Sequence, residues 1–325
     1  MKKNKIKLLC TLGPSTINKN FLKFAKGKIN LLRLNMSHLD INKLPEIIKY
    51  VKKITRIPIC IDTEGAQIRT KIKKKIFYRK NKIFKINYNG NGNFNLYPNT
   101  VFKKIRKGDV LLIGFDNLKA IVLKVNKNFI LLKTVLPGLA ENNKGVHIEN
   151  RKIYLNCLTN KDIEAIKIGQ KMNIKHYALS FTNNVYDMNK FKEKLKKENK
   201  IFKIETSKAL KNIKEILKNG NEFIIDRGDL SKEVKIENIP YYQRKILKIS
   251  KNYKNKKIYI ATNLLESMIS SQYPTRGEAN DIFSSLEMGA TGLVLAGETA
   301  VGKYPELATL FVKKIIKSFT NKNAI

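Results

Sequence analysis

Charged and hydroxyl side chains follow several short apolar segments of the chain, an arrangement expected of a site at one edge of a sheet. Lys203 and Glu205 are two residues apart, so both lie on one face of an extended strand. Asp229 follows another apolar segment. Mg²⁺ takes one or two carboxylates and completes its shell with water and phosphate oxygens. Glu205 and Asp229 therefore predict a magnesium site, and Lys203 predicts a cation that neutralises charge on a transferring group or an enolate oxygen.

Two arginines, Arg33 and Arg69, follow the second and third apolar segments, and a guanidinium binds phosphate through paired hydrogen bonds. A single polar residue at a strand end is more often structural than functional. For His38, a structural hydrogen bond is as good an explanation as a ligand role. The concentration of polar residues at several strand ends nevertheless predicts a functional site. The others are Asn35, Ser37, Asp62, Thr63, Glu64, Asp226, Arg227, Thr262, Asn263, Glu266, Glu298 and Thr299.

Eight short apolar runs alternate with longer segments of helical periodicity. Such runs are typical of strands that are buried on both faces of a parallel sheet. Their number predicts a (β/α)₈ barrel, an α/β fold whose sites lie at the C-terminal ends of the strands. The predicted strands are 5–13, 29–37, 57–65, 176–181, 202–206, 222–230, 257–264 and 292–300, and the clearest helices are 41–54, 159–172, 209–219 and 306–319.

The segment 71–147 lacks helical periodicity and consists of short apolar runs separated by Asn, Gly and Pro. This pattern predicts a small all-β domain inserted after the third barrel strand. The predicted domains are therefore a barrel formed by 1–70 and 148–325 and a β-insert formed by 71–147.

The chain has 325 residues, with 65 Lys or Arg against 26 Asp or Glu, and a net charge of +39. Such a charge favours nucleic-acid binding, but lysine is spread over the predicted solvent faces without an aromatic-interleaved stripe. We interpret the charge as compositional drift and expect no nucleic-acid partner. The sequence shows no apolar run long enough for a membrane helix and no export signal, and its three cysteines lack metal-ligand spacing. It predicts a cytoplasmic protein without disulfides.

Seven peptides at the predicted strand ends resemble the signature segments of the pyruvate kinase family, in the same order and with the insert in the same place. They are CTLGPST (10–16), RLNMSH (33–38), DTEGAQIRT (62–70), RGDL (227–230), ATNLLESM (261–268), PTRGEAND (274–281) and GETAVGKYP (297–305). The resemblance implies glycolytic transfer of a phosphoryl group from phosphoenolpyruvate to ADP, with Mg²⁺ and K⁺ as cofactors. It also implies a homo-oligomer formed through a barrel face.

The resemblance also implies roles for individual residues. Glu205 and Asp229 match the Mg²⁺ ligands, and Lys203 matches the lysine that stabilises the transferring phosphoryl group and the enolate. Thr262 matches the threonine beside the substrate methylene, and the backbone around Gly228 matches the segment that binds the substrate carboxylate. The implied K⁺ ligands are Asn35, Ser37, Asp62 and Thr63, and the implied nucleotide-binding residues are Arg33, Asn35, His38, Arg69, Asp116 and Lys144, with Arg33 also catalytic.

Several positions depart from the family pattern. Ala296 replaces a serine and Asn263 a glutamine near the water network that protonates the enolate, so slow ketonisation is expected. Gln67 stands where Glu or Lys distinguishes K⁺-dependent from K⁺-independent members, which leaves the K⁺ requirement open. The peptide SFTNN (180–184) lacks an arginine. The sequence ends at Ile325, before the family's C-terminal regulatory domain, which implies an enzyme without effector control.

Two other functions remain open from the sequence alone. The first is another phosphoenolpyruvate or pyruvate enzyme on the same kind of barrel, against which the β-insert argues. The second is a decayed barrel that binds RNA through its positive charge. The intact set of Lys203, Glu205, Asp229 and Thr262 favours catalysis.

Overall fold

Two separate units account for the residues that this computed structural model describes, which are 6–88, 90, 92–114, 118–151 and 153–322. The first unit comprises Met1–Gly65 and Asn160–Ile325, and the second comprises Ala66–Thr159. The strands, in chain order, are β1 (Lys7–Thr11), β2 (Leu31–Asn35), β3 (Ile59–Asp62), β4 (Ile68–Ile72), β5 (Ile76–Tyr78), β6 (Ile83–Asn87), β7 (Phe94–Tyr97), β8 (Val110–Ile113), β9 (Leu118–Val125), β10 (Phe129–Leu136), β11 (Gly138–Ala140), β12 (Gly145–Ile148), β13 (His176–Leu179), β14 (Asn199–Ile204), β15 (Glu222–Asp226), β16 (Lys257–Ala261) and β17 (Gly292–Leu295).

Helices belong almost entirely to the first unit. In chain order they are α1 (Lys19–Phe24), α2 (Leu44–Ile54), α3 (Asn160–Lys171), α4 (Val185–Lys194), α5 (Ser207–Lys211), α6 (Ile213–Asn219), α7 (Arg227–Leu230), α8 (Ile239–Ser250), α9 (Arg276–Glu287), α10 (Gly297–Ala300) and α11 (Pro305–Lys322). Short 3₁₀ segments lie at Ile41–Lys43, Asn99–Lys104, Ile236–Asn238 and Glu266–Ile269. Within the described ranges, no helix combines the length and the apolar character that crossing a membrane requires.

The first unit is a closed barrel of parallel strands in the order β1, β17, β16, β15, β14, β13, β3 and β2. Helices connect successive strands, as the alternation of apolar runs and amphipathic segments predicts. The near-continuous burial of strands such as β3 and β17 reflects a sheet that is covered on both faces. The predicted (β/α)₈ barrel is therefore confirmed.

Several predicted element boundaries are wrong in informative ways. The predicted strand 222–230 ends at Asp226, and the peptide RGDL forms the helical turn α7. The predicted strand 292–300 ends at Leu295, and GETA forms α10 in the same way. The predicted helix 209–219 is interrupted at Asn212, whose side chain donates a hydrogen bond to Asn183 O at 2.9 Å. Polar peptides at the strand ends thus turn away from the sheet.

The second unit is built on a mainly antiparallel closed barrel in the order β10, β6, β7, β4, β12, β8 and β9. A separate two-stranded sheet pairs β11 with β5. Along β9, burial alternates, so Leu118, Ala120 and Val122 point into the core and the residues between them do not. This alternation explains why the segment reads as strands without helical periodicity.

Gly13 provides a test of how tightly the first unit is packed. A Cβ added there would lie 2.4 Å from Ala300 O and 2.8 Å from Ala300 Cα, so the clash is with backbone. We expect Gly13→Ala to lower the free energy of unfolding by about 1–3 kcal/mol, measured by urea denaturation. Gly277→Ala is the control, because its nearest neighbouring atom is 3.9 Å away and α9 tolerates alanine. Equal stability of the two variants would contradict this packing.

Candidate active site

The barrel interior changes from apolar to polar along its strands. One buried cluster draws residues from all eight strands: Leu9, Leu31, Cys60, Ala178, Ile201, Ile224, Tyr259, Ala261 and Val294. Because side chains alternate along a strand, the residue two positions further on lies on the same interior face. For six strands this residue is polar and mostly buried, and the set is Thr11, Arg33, Asp62, Ser180, Lys203 and Asp226. These six residues, here called the polar layer, lie at the C-terminal end of the barrel.

Lys203 is surrounded by carboxylates within the polar layer. Its Nζ lies 2.7 Å from Glu205 Oε1 and 3.3 Å from both Asp62 Oδ2 and Asp226 Oδ2. It also donates a hydrogen bond to Ser180 Oγ at 3.2 Å. Burial disfavours the ammonium, but the three carboxylates outweigh it and raise the pKa of Lys203. The site therefore holds a permanent positive charge.

Arg33 shares one of these carboxylates with Lys203. Its Nε and Nη2 lie 2.6 and 2.5 Å from Asp62 Oδ2, and its Nη1 donates to Thr11 Oγ1 at 2.9 Å. The other oxygen of Asp62 accepts a hydrogen bond from Ser180 Oγ at 3.2 Å. Both cations are thus held on one buried carboxylate, which fixes their positive charges close together.

Three carboxylates at the rim could hold a metal ion. Within the described part of the chain, ligand atoms of Glu205, Asp226 and Asp229 all lie within 4.8 Å of one another. Glu205 is fully buried, and its Oε2 accepts the Phe181 N–H at 2.5 Å. Its other oxygen, Oε1, lies near Lys203 Nζ but receives no well-directed hydrogen bond. An all-oxygen donor set suits a hard cation such as Mg²⁺.

The charge balance of this region also fits a bound cation. Arg33 and Lys203 supply two positive charges, whereas Asp62, Glu205 and Asp226 would supply three negative ones when all are ionised, and all five residues are at most 4% exposed. Burial raises the pKa of Glu205, and Lys203 only partly opposes that effect. A divalent ion would favour the ionised carboxylate and compensate the excess negative charge. The residues present therefore fit Mg²⁺.

Thr262 directly follows β16 and contacts Asp226 of the polar layer. Its Oγ1 accepts the Gly228 N–H at 2.7 Å and lies 3.2 Å from Asp226 Oδ1 and 2.6 Å from Ala261 O. Asp226 thereby contacts both Thr262 and Lys203. Burial opposes ionisation of Asp226, but Lys203 and Arg33 hold its pKa below the usual range. A hydroxyl, an ammonium and several carboxylates thus converge at one end of the barrel.

The sequence-predicted site residues fall into separate groups. The structure brings Arg33, Asp62, Lys203, Glu205 and Thr262 together through the contacts above, with Gly228 and Asp229 on the adjoining turn α7. Thr63 accepts the Ser180 N–H at 2.9 Å, Asn35 lies opposite Asp62 on the neighbouring strand, and Asn35 Oδ1 accepts the Ser37 N–H at 3.0 Å. His38 is exposed at the end of the same segment.

Two further predicted residues are described in the second unit, and a third lies outside the described residues. Arg69 is on β4, where its Nη1 donates to Asn143 O at 3.4 Å. Lys144 forms an ion pair with Glu141 at 3.3 Å. Asp116 lies outside the described residues.

Sequence reasoning assigned no role to Asp226, Ser180 or Thr11. Each of the three follows an interior apolar residue by two positions, as Asp226 follows Ile224. This spacing predicts that all three side chains lie on the interior face of the barrel. Asp226 was grouped only with the other polar residues at strand ends. Ser180 lies in SFTNN, the peptide that lacks the arginine expected from the family resemblance.

Comparison with known proteins agrees with this geometry. A family model described as "Pyruvate kinase, barrel domain" matches residues 2–309. The chain is 32% identical over 332 residues to a pyruvate kinase of Thermotoga maritima, covering 97% of the chain and 71% of that protein. It is 34% identical over 325 residues to one of Methanocaldococcus jannaschii, with 96% and 69% covered. A pyruvate kinase of Buchnera aphidicola is 32% identical over 333 residues, with 96% and 69% covered. With its (β/α)₈ barrel and its polar layer, the chain belongs to the pyruvate kinase family.

Proposed function

We propose that this member of the pyruvate kinase family transfers the phosphoryl group of phosphoenolpyruvate to ADP in the polar layer, giving pyruvate and ATP. The observation that carries the proposal is the position of Lys203, buried between Asp62, Glu205 and Asp226 beside the carboxylates that suit Mg²⁺. Phosphoryl transfer needs positioning and charge neutralisation more than covalent chemistry. A fixed ammonium next to a cation site meets that need.

Each residue has a distinct part in the proposed reaction. Glu205 and Asp229 hold Mg²⁺, which when bound neutralises charge on the phosphoryl and carboxylate oxygens of the substrate. Lys203 stabilises the transferring group and then the enolate oxygen. The Gly228 and Asp229 backbone holds the substrate carboxylate, and Thr262 lies beside the substrate methylene. Arg33 adds a second positive charge through the carboxylate that it shares with Lys203.

The nucleotide and the monovalent ion complete the proposed site. Arg33, Asn35, His38, Arg69, Asp116 and Lys144 are proposed to contact the nucleotide, and Asn35, Ser37, Asp62 and Thr63 to hold K⁺. Asn35 and Ser37 already share a hydrogen bond, and Thr63 is anchored on Ser180, which supports a fixed oxygen cluster near Asp62. Catalysis is assigned to the barrel, 1–70 and 148–325, and a part in nucleotide binding to the insert, 71–147.

A homodimer formed through a barrel face is part of the same proposal. Among the described residues of the first unit, eight large hydrophobic residues are exposed, and six of them fall in the last third of the chain, on segments that follow β15, β16 and β17. They are Ile236, Tyr241, Tyr273, Val301, Leu307 and Leu310. Association with a second copy would remove the apolar area of such side chains from water. We propose a cytoplasmic enzyme whose partners are its substrates and a second copy, without nucleic acid.

The direct test is formation of pyruvate from phosphoenolpyruvate and ADP by the purified chain with Mg²⁺, monitored through lactate dehydrogenase. Activity is expected with Mg²⁺ and none with excess chelator. Comparison of K⁺ with tetramethylammonium in the same assay decides whether Gln67 is compatible with a K⁺ requirement. Absence of pyruvate under all of these conditions would refute the proposed function.

Ala296 yields a prediction about proton delivery to the enolate. It directly follows β17 and precedes α10, so it lies at the C-terminal end of the barrel, where the polar layer also lies. A methyl group there gives a water network no hydroxyl. We expect Ala296→Ser to accelerate protonation of enolpyruvate several-fold, measured as ketonisation of enzymatically released enolpyruvate. An unchanged rate would show that residue 296 has no part in this step.

A further inference from the structure

Thr262 has an unusual backbone conformation for a β-branched residue. Its φ is 67°, and that of Asn263 is 52°, so both are left-handed. Branching at Cβ makes this region unfavourable for threonine. Among the described non-glycine residues with positive φ, all are asparagine except Phe181 and Thr262. Phe181 donates its N–H to Glu205, and Thr262 contacts Asp226. Both exceptions therefore border the candidate site, where strain that persists must be held by surrounding contacts.

The Arg227 side chain supplies such contacts. Its Nη2 donates to Thr262 O at 2.6 Å and to Asn263 O at 3.1 Å, and its Nε lies 3.2 Å from Thr262 O. The remaining nitrogen, Nη1, lies 2.6 Å from Asp281 Oδ2 on α9. The side chain of Arg227 is only 10% exposed. A planar fork bound at three nitrogens has little freedom, so the two carbonyls are held in place.

The next residue of the same turn holds the Thr262 side chain. Gly228 donates its N–H to Thr262 Oγ1 at 2.7 Å. A Cβ at residue 228 would lie 3.3 Å from Oγ1 and 3.4 Å from Thr262 Cβ, so glycine permits this close approach. Consecutive residues of α7 thus fix the backbone and the hydroxyl of Thr262.

We propose that Arg227, oriented by Asp281, is a positioning residue that holds Thr262 in its left-handed conformation and thereby sets its hydroxyl beside Asp226. The inference rests on the proposed function, in which Thr262 lies beside the substrate methylene. Arg227 acts through Thr262, because its guanidinium is bound to two backbone carbonyls and to Asp281.

A double-mutant cycle tests this dependence. We expect Arg227→Lys to lower kcat about a hundredfold while KM for ADP changes less than about twofold, because misplacement by about 1 Å has effects of this size. In a Thr262→Ala background, the same substitution is expected to lower kcat little further, since the group being positioned is already absent. Additive losses would overturn the proposal. Asp281→Asn is a milder change, at a side chain that is 33% exposed, and is expected to lower kcat by a smaller factor.

A matched control and a structural readout separate this inference from the proposed function. Arg151→Lys makes the same substitution at an arginine of the second unit whose Nε and Nη2 both contact Asp109, and it is expected to leave kcat unchanged. A crystal structure of Arg227→Lys is expected to show that the Thr262 φ has left the left-handed region. An unchanged φ would overturn the inference whatever the activity. A wild-type chain without transfer activity would refute the proposed function, while the crystal structure would still decide the role of Arg227.

Discussion

Replacing Lys203 with methionine is expected to lower kcat for pyruvate formation by about a thousandfold or more. The substitution removes a buried positive charge from the site at which negative charge develops during transfer, and one preorganised donor in such a place contributes a factor of 10²–10³. Methionine has similar length and is apolar, so the change isolates the charge. Steady-state kinetics with saturating phosphoenolpyruvate, ADP and Mg²⁺ measure the effect.

The same substitution has two further consequences that keep the result interpretable. It leaves Asp62, Glu205 and Asp226 without their shared cation, which is expected to destabilise the fold by about 3–5 kcal/mol. Binding of Mn²⁺ should persist or tighten, because a repelling charge has been removed, and this shows that the site remains folded. Lys257→Met is the control, since that lysine pairs with Glu222 at the opposite end of the barrel. Equal activity of the Lys203→Met variant and the control would contradict the role of Lys203.

The second large effect is expected for Glu205→Gln, which should weaken Mn²⁺ binding about a hundredfold. Glutamine is nearly the same size and can still accept the Phe181 N–H, so the backbone contact survives. The substitution removes one negative charge from a group whose three carboxylates lie within 4.8 Å. Because hard cations bind mainly through charged oxygen atoms, removing this charge lowers the affinity for the metal. Titration of free Mn²⁺ by electron paramagnetic resonance measures it.

Two comparisons decide whether this loss is specific to the metal site. A higher Mg²⁺ concentration should restore part of the activity of Glu205→Gln, because the activity of this variant is limited by the occupancy of the metal site. Glu237→Gln, at an exposed position of a 3₁₀ segment, should bind Mn²⁺ as the wild type does. An unchanged Mn²⁺ affinity in Glu205→Gln would show that the metal lies elsewhere.

The barrel could be predicted from the sequence because its strands are buried on both faces and appear as apolar runs. β15 and β17 illustrate both the success and its limit. Their apolar cores identify them as strands, but the runs continue into RGDL and GETA, which form helical turns. Hydropathy alone does not mark the point at which a chain leaves the sheet. The break at Asn212 was also missed, because it depends on a hydrogen bond to Asn183 from a distant segment.

Part of the candidate site could also be predicted from the sequence. Lys203 and Asp62 lie at strand ends, and parallel strands bring their C-terminal ends together. The sequence does not reveal that Asp226 contacts both Lys203 and Thr262, because that depends on the register between β14, β15 and β16. The left-handed conformation of Thr262 runs against the intrinsic preference of threonine and follows from tertiary contacts with Arg227.

The most direct measurement is the ³¹P NMR spectrum of phosphoenolpyruvate, ADP and Mg²⁺ incubated with the purified chain. We expect the phosphoenolpyruvate resonance to decline while the three ATP resonances appear in equal amount, without inorganic phosphate. The Lys203→Met variant should leave the spectrum unchanged over the same interval. A wild-type spectrum that does not change, or equal transfer by the variant, would contradict phosphoryl transfer at the polar layer around Lys203.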